Sequence, residues 1–118
     1  GLKTAGKPAA IKLSLNKTRV ANNWDDVVFV TATIVDENGV PVPTANDLIN
    51  FEAKGSGSIV AVDSANNTDH DPFQATKRKA FQGRCLAFIK ADRDTGKIMI
   101  SATAGDLRSN TVTIAIGR

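Results

Sequence analysis

The chain has little of what an active site ordinarily uses. Its 118 residues contain one cysteine, one histidine and no tyrosine, and the aromatic residues are five Phe and one Trp. A lone Cys85 closes no internal disulfide, and with His70 as the single imidazole neither a CxxC pair nor a Cys/His zinc set can be assembled. Cys85 also falls on a strand expected to be buried, where a thiol behaves as a small inert hydrophobe, so His70 has no credible nucleophile to activate. No apolar run approaches the roughly 20 residues of a membrane helix. Gly1-Leu2-Lys3-Thr4 lacks the charged region and apolar core of a signal peptide. The expectation is a soluble chain with no membrane insertion, cytoplasmic or a mature fragment of something longer.

Charge of one sign is also in short supply. Fifteen Lys and Arg stand against twelve Asp and Glu, a formal charge of +3. That excess is weak support for nucleic acid as a partner. The basic cluster Lys77-Arg78-Lys79 with Arg84 has only Phe73 and Phe81 beside it, fewer stacking platforms than single-strand binders use. A solvated face, or ion pairs to the acidic segment just before it, accounts for the cluster better, and no nucleic-acid partner is expected.

What is present is a core. With 42% hydrophobic and 23% charged residues the chain is folded rather than disordered, and its length suits one domain, residues 1–118. Periodicity of two recurs, whereas the helical pattern never persists for three turns. Ile11–Leu15 alternates apolar with polar residues. In Val28–Val35, Val30, Ala32 and Ile34 share one face and Thr31 and Thr33 the other. Asp36-Glu37-Asn38-Gly39 ends that strand with a tight turn, and Val40-Pro41-Val42-Pro43 is confined to an edge because proline lacks a ladder donor. Further strands read as Leu48–Ala53, with Ile49, Phe51 and Ala53 inward, then Ser58–Val62, Arg84–Ala91, Lys97–Ala104 and Asn110–Ile116. About seven short strands with closely spaced turns predict an all-β, immunoglobulin-like, two-sheet antiparallel β-sandwich.

One strand breaks the alternation. Cys85, Ala87 and Ile89 make one apolar face of Arg84–Ala91, yet Leu86 and Phe88 make the other face apolar too. Two readings stand: the long polar segment between Asp63 and Thr76 covers them, or they dock on another domain, as contiguous exposed apolar surface does.

That polar segment is the densest set of oxygen ligands. Asn67, Asp69 and Asp71 alternate as at the start of a calcium loop, but Pro72 stands where an EF-hand needs Gly and Arg78 where it needs Glu. A structural loop with capping side chains is expected, with no metal and no cofactor. Asp69 and Asp71 also make a poor glycosidase pair, since that chemistry holds two carboxylates roughly 5 to 9 Å apart across a sugar bond within a cleft. Trp24, in Asn22-Asn23-Trp24-Asp25-Asp26, either stacks on a sugar or plugs one end of the sandwich.

Lys7–Leu13, Phe29–Gly39 and Val42–Ala45 together resemble the bacterial immunoglobulin-like modules related to invasin. A narrower match is Ile59–Asp63, Asn66–Phe73 and Arg78–Leu86, which is similar to the C-terminal accessory domain of family 2 glycoside hydrolases of the β-galactosidase type, especially from Bacteroides-like bacteria. In such enzymes the two catalytic glutamates belong to a separate barrel domain; the glutamates here, Glu37 and Glu52, fall at a turn and in a strand. The resemblance therefore implies a non-catalytic, periplasmic or secreted appendage whose partners are the other domains of a parent hydrolase. Leu86, Phe88, Phe73, Phe81 and Arg78 are its candidate interdomain contacts. The alternatives are an independent carbohydrate-binding module, with Trp24, Asn67, Asp69 and His70 as candidate sugar contacts, and an adhesin-type spacer.

Overall fold

A computed structural model of the chain describes residues 6–23, 25–45, 47–63, 77–80 and 82–117, of which 77–79 are described in backbone only. The strands run β1 (Ala10–Leu15), β2 (Arg19–Val20), β3 (Val28–Val35), β4 (Leu48–Gly55), β5 (Gly57–Asp63), β6 (Lys77–Lys79), β7 (Arg84–Ala91), β8 (Gly96–Ala104), β9 (Leu107–Arg108) and β10 (Val112–Ile116). One sheet has the order β1-β3-β7-β5; the other is β2-β10-β8-β4-β6, with β9 paired to β8. The two sheets enclose the core, so the chain is an all-β sandwich, as its periodicity requires.

The seven strands of five or more residues are those expected from the sequence. The surplus over seven comes from β2, β6 and β9, whose two or three residues are too short to show an alternation. Among the described residues, pairing departs from antiparallel where β2 runs parallel to β10, through Arg19 opposite Ala115 and Val20 opposite Ile116, and at the single bridge of Ile11 to Ser109. Val40–Pro43 forms no strand: Pro41 makes a single bridge to Val35, and the Val42 N–H donates to the Ile34 carbonyl at 2.9 Å.

Alternation decides which side chains meet. Phe51, Ile34, Ile49, Ile89, Ile98, Ile100 and Ile114 are the largest fully enclosed side chains, contributed by strands of both sheets. Each branched aliphatic removed from water in this way contributes about 1.5–3 kcal/mol. Cys85 is buried among them, as expected.

Where the chain passes from the second sheet to the first, Gly55-Ser56-Gly57 makes the corner. Gly55 takes φ +104°, and the Ile98 Cδ1 methyl occupies the space where a Cβ on Gly57 would stand. Only residues without a Cβ let β5 turn this closely over β8.

The turn after β3 is built around Asp36. Only 5% exposed, its carboxylate accepts the N–H groups of Asn38 and Val40 on Oδ1 and of Gly6 on Oδ2, all at 2.9 Å. Gly39 completes the turn at φ +80°. Asp36 thereby pins the segment leading into β1, which Ala9 continues by donating its N–H to the Val35 carbonyl at 2.8 Å.

Candidate interaction face

Register fixes the composition of the two outer surfaces. On the first sheet Phe29 of β3 lies opposite Phe88 of β7, and Ala61 of β5 completes that row; Thr31 lies opposite Leu86, with Ser14 and Asp63 on either side. The Phe29 and Phe88 rings meet edge to face, with centroids 5.1 Å apart and planes at 86°. Such a pair contributes about 0.5–1.5 kcal/mol beyond the area it buries. Phe29 keeps 38% of its surface exposed, and Leu86 and Phe88 are half-buried.

Phe29 is held from its backbone. Beyond the last β1–β3 pair, Leu15 with Val30, the Asn16 side chain takes over the ladder: its Oδ1 accepts the Phe29 N–H at 2.7 Å while the Asn16 N–H donates to the Phe29 carbonyl at 3.2 Å. The next residues close a small polar loop, in which the Asp26 carboxylate receives the Lys17 ammonium on one oxygen and the Ala21 N–H at 2.7 Å on the other. These bonds hold the Asp26 carboxyl below the usual carboxylate range, the Lys17 hydrogen bond first and the Ala21 N–H second. Lys17 and Asp26 thus brace the turn that delivers Phe29 to the sheet.

The second sheet presents a different surface. Its outward positions on β4 and β8 include Asn50, Glu52, Lys54, Lys97, Ser101 and Thr103, with Glu52 and Lys54 3.6 Å apart. Exposed apolar side chains there are Leu48, on the row of Lys79, and Met99, on the row of Lys54. They are separated along the sheet, so among the described residues the paired aromatic patch belongs to the first sheet.

Of the candidate interdomain residues, Leu86 and Phe88 share one face and one strand. Arg78 sits in β6 opposite Ile49, described in backbone only. Phe73, Phe81, Trp24, Asn67, Asp69 and His70 lie outside the described residues, as does most of the acidic segment, including its calcium-like alternation. Glu37 and Glu52 are both exposed, the first in the turn beside Asp36 and the second on the opposite sheet's outer surface, so they do not converge as a catalytic pair. Among the described residues no group of three His, Cys, Asp or Glu side chains converges, and no helix is long and apolar enough to cross a membrane.

Sequence reasoning missed Phe29. Its place between Val28 and Val30 marks it as outward-facing, but only the register of β3 against β7 sets it on Phe88 and makes a single patch from Phe29, Thr31, Leu86 and Phe88. Asn16 opens an Asn-Lys-Thr glycosylation-acceptor triplet at a strand end, and neither feature marks it as the residue that continues the ladder to Phe29.

Comparison with known proteins meets this geometry from outside. The model of the glycoside hydrolase family 2 C-terminal domain 5 matches residues 11–113. The chain is 39% identical over 112 residues to the β-galactosidase BoGH2A of Bacteroides ovatus, covering 95% of this chain and 13% of that protein. A β-galactosidase of Thermoanaerobacter pseudethanolicus is 28% identical over 101 residues, covering 86% of this chain and 12% of that one. Among solved structures, a glycosyl hydrolase family 2 member from Bacteroides cellulosilyticus superposes with a TM-score of 0.90 at 28% identity, over 99% of this chain and 15% of that one. A C-terminal fragment of intimin superposes with a TM-score of 0.58 at 16% identity, over 90% of this chain and 33% of that one, a likeness of fold alone. The chain therefore spans about an eighth of the length of the β-galactosidases it matches.

Proposed function

Because the chain belongs to the glycoside hydrolase family 2 C-terminal domain 5 family, we propose that it is a non-catalytic accessory domain of a β-galactosidase-type hydrolase, packed against the rest of that enzyme and acting with it outside the cytoplasm. The observation that carries this reading is the family match over residues 11–113, joined to the small share of each relative that the chain covers. Catalysis resides elsewhere in the parent protein, and this domain contributes buried surface. Leu86 and Phe88 supply the apolar part of its contact.

Measurements on the isolated chain and on the full-length enzyme test the reading. A chromogenic galactoside should remain intact with the isolated chain, and isothermal titration with galactosides at millimolar concentration should give no heat of binding. Turnover would make the domain an enzyme, and saturable binding would make it a carbohydrate-binding module. In the full-length enzyme, Leu86→Ser with Phe88→Ser should lower the melting temperature and open the domain boundary to protease. Unchanged melting and cleavage would leave only a spacer.

A further inference from the structure

The border of the aromatic patch is charged, with a row of cations at one end. Lys12 of β1 and Arg84 of β7 flank Thr33 in one row across the first sheet. They sit two strand spacings apart, about 10 Å. Lys90 lies at the other end of β7's outward face, in the row of Ser58, whose hydroxyl donates to the Asp92 carboxylate at 3.2 Å, and Asp63 of β5 lies opposite Leu86. Among the described residues the face thus has an aromatic centre with three cations and two carboxylates around it, the row of Lys12, Thr33 and Arg84 carrying cations alone, and polar Thr31 and Ser14 between.

We infer that this face, centred on Phe29 and Phe88, seats an aliphatic surface rimmed with carboxylates that belongs to the polypeptide preceding this domain in its full-length enzyme. The inference deepens the accessory-domain reading and rests on it: it names the anchor, the border and the chemistry of the surface opposite. A central aromatic pair with a charged rim is the anatomy of a protein contact, in which the buried centre supplies affinity and the rim sets orientation. A second copy of the chain is a poor occupant. A two-fold contact brings the same patch of each copy together, and so sets one surplus of cations against another. The relatives leave ample alternative surface, since the family is a C-terminal domain and covers 13% of the B. ovatus enzyme.

The test replaces Phe29 by photoreactive p-benzoylphenylalanine in the purified full-length enzyme and maps the crosslinked peptides by mass spectrometry. The expected product is an intramolecular crosslink to a segment upstream of this domain with Asp or Glu close by. Lys12→Glu with Arg84→Glu should lower its yield by about threefold or more at low salt, a loss that shrinks near about 1 M salt as the charges are screened. A crosslink joining two copies of the domain overturns the occupant. Labelling from position 99 on the opposite sheet but none from position 29 overturns the face. Yield unaffected by the charge reversals overturns the carboxylate rim. All three leave the accessory reading standing; that reading fails separately if the enzyme without residues 1–118 melts and turns over as the intact protein does.

Discussion

The Asn110 side chain lies along the backbone of Leu13, accepting its N–H on Oδ1 at 2.9 Å and setting Nδ2 3.5 Å from its carbonyl oxygen. β1 is an edge strand of its sheet, and an edge exposes unpaired backbone groups that invite other strands. A side chain 97 residues away in sequence covers this one, and beside it Ser109 bridges to Ile11. The connection from β9 to β10 therefore ties the edge of one sheet to the other. Asn110→Ala should destabilise the domain by about 1–2 kcal/mol in urea denaturation, through the unpaired Leu13 N–H. The surface bond from Asn22 to Asp94, 3.1 Å long, is the control: Asn22→Ala should change stability by less than about 0.5 kcal/mol.

Asp36 presents the same logic more strongly. Three N–H groups converge on one enclosed carboxylate, so Asp36→Ala should cost about 3 kcal/mol. Asp36→Asn keeps an acceptor for Asn38 and Val40 and turns its Nδ2 toward Gly6, and should cost about 1 kcal/mol. Amide exchange at Gly6 should accelerate in both variants while the β3–β7 ladder stays protected.

Two glycines with nearly the same φ should respond differently. Gly39, at φ +80°, has no neighbouring atom within 4 Å of the place a Cβ would take, so Gly39→Ala bears only the cost of its left-handed backbone, about 1 kcal/mol. Gly83, at φ +77°, has the Val42 carbonyl oxygen where a Cβ would stand. Gly83→Ala must displace that backbone and should cost more than about 3 kcal/mol in the same denaturation experiment.

Asp26 gives the domain a defined acid response. Its folded pKa is lowered, so its contribution is fully present above the ordinary Asp value of about 4 and is lost as pH falls through the folded value. The stability difference between the wild-type chain and Asp26→Asn should hold steady from pH 7 to 5 and close in more acidic solution. A gap that widened on acidification would contradict the Lys17 and Ala21 bonds as its origin.

Much of this fold is legible in the sequence because the alternation is clean. Val28–Val35 and the Asp36–Gly39 turn follow from periodicity and turn chemistry, and Leu86 and Phe88 stand out because they break the alternation of β7. The rest depends on partners that no local pattern encodes. Arg19–Val20 and Leu107–Arg108 become strands only by pairing with β10 and β8. Asn110 covers Leu13 across the length of the chain, and Phe29 joins the patch only once β3 and β7 are in register. Local sequence identifies which residues face outward; long-range pairing determines which of them meet.

Hydroxyl-radical footprinting of the isolated chain and the full-length enzyme, compared residue by residue, measures the docking face most directly. Phe29, Leu86 and Phe88 should oxidise in the isolated chain and be shielded in the enzyme, while Met99, 38% exposed on the opposite sheet, oxidises equally in both. Equal oxidation of Phe29 and Phe88 in the two samples would show that this face meets nothing and would contradict the account.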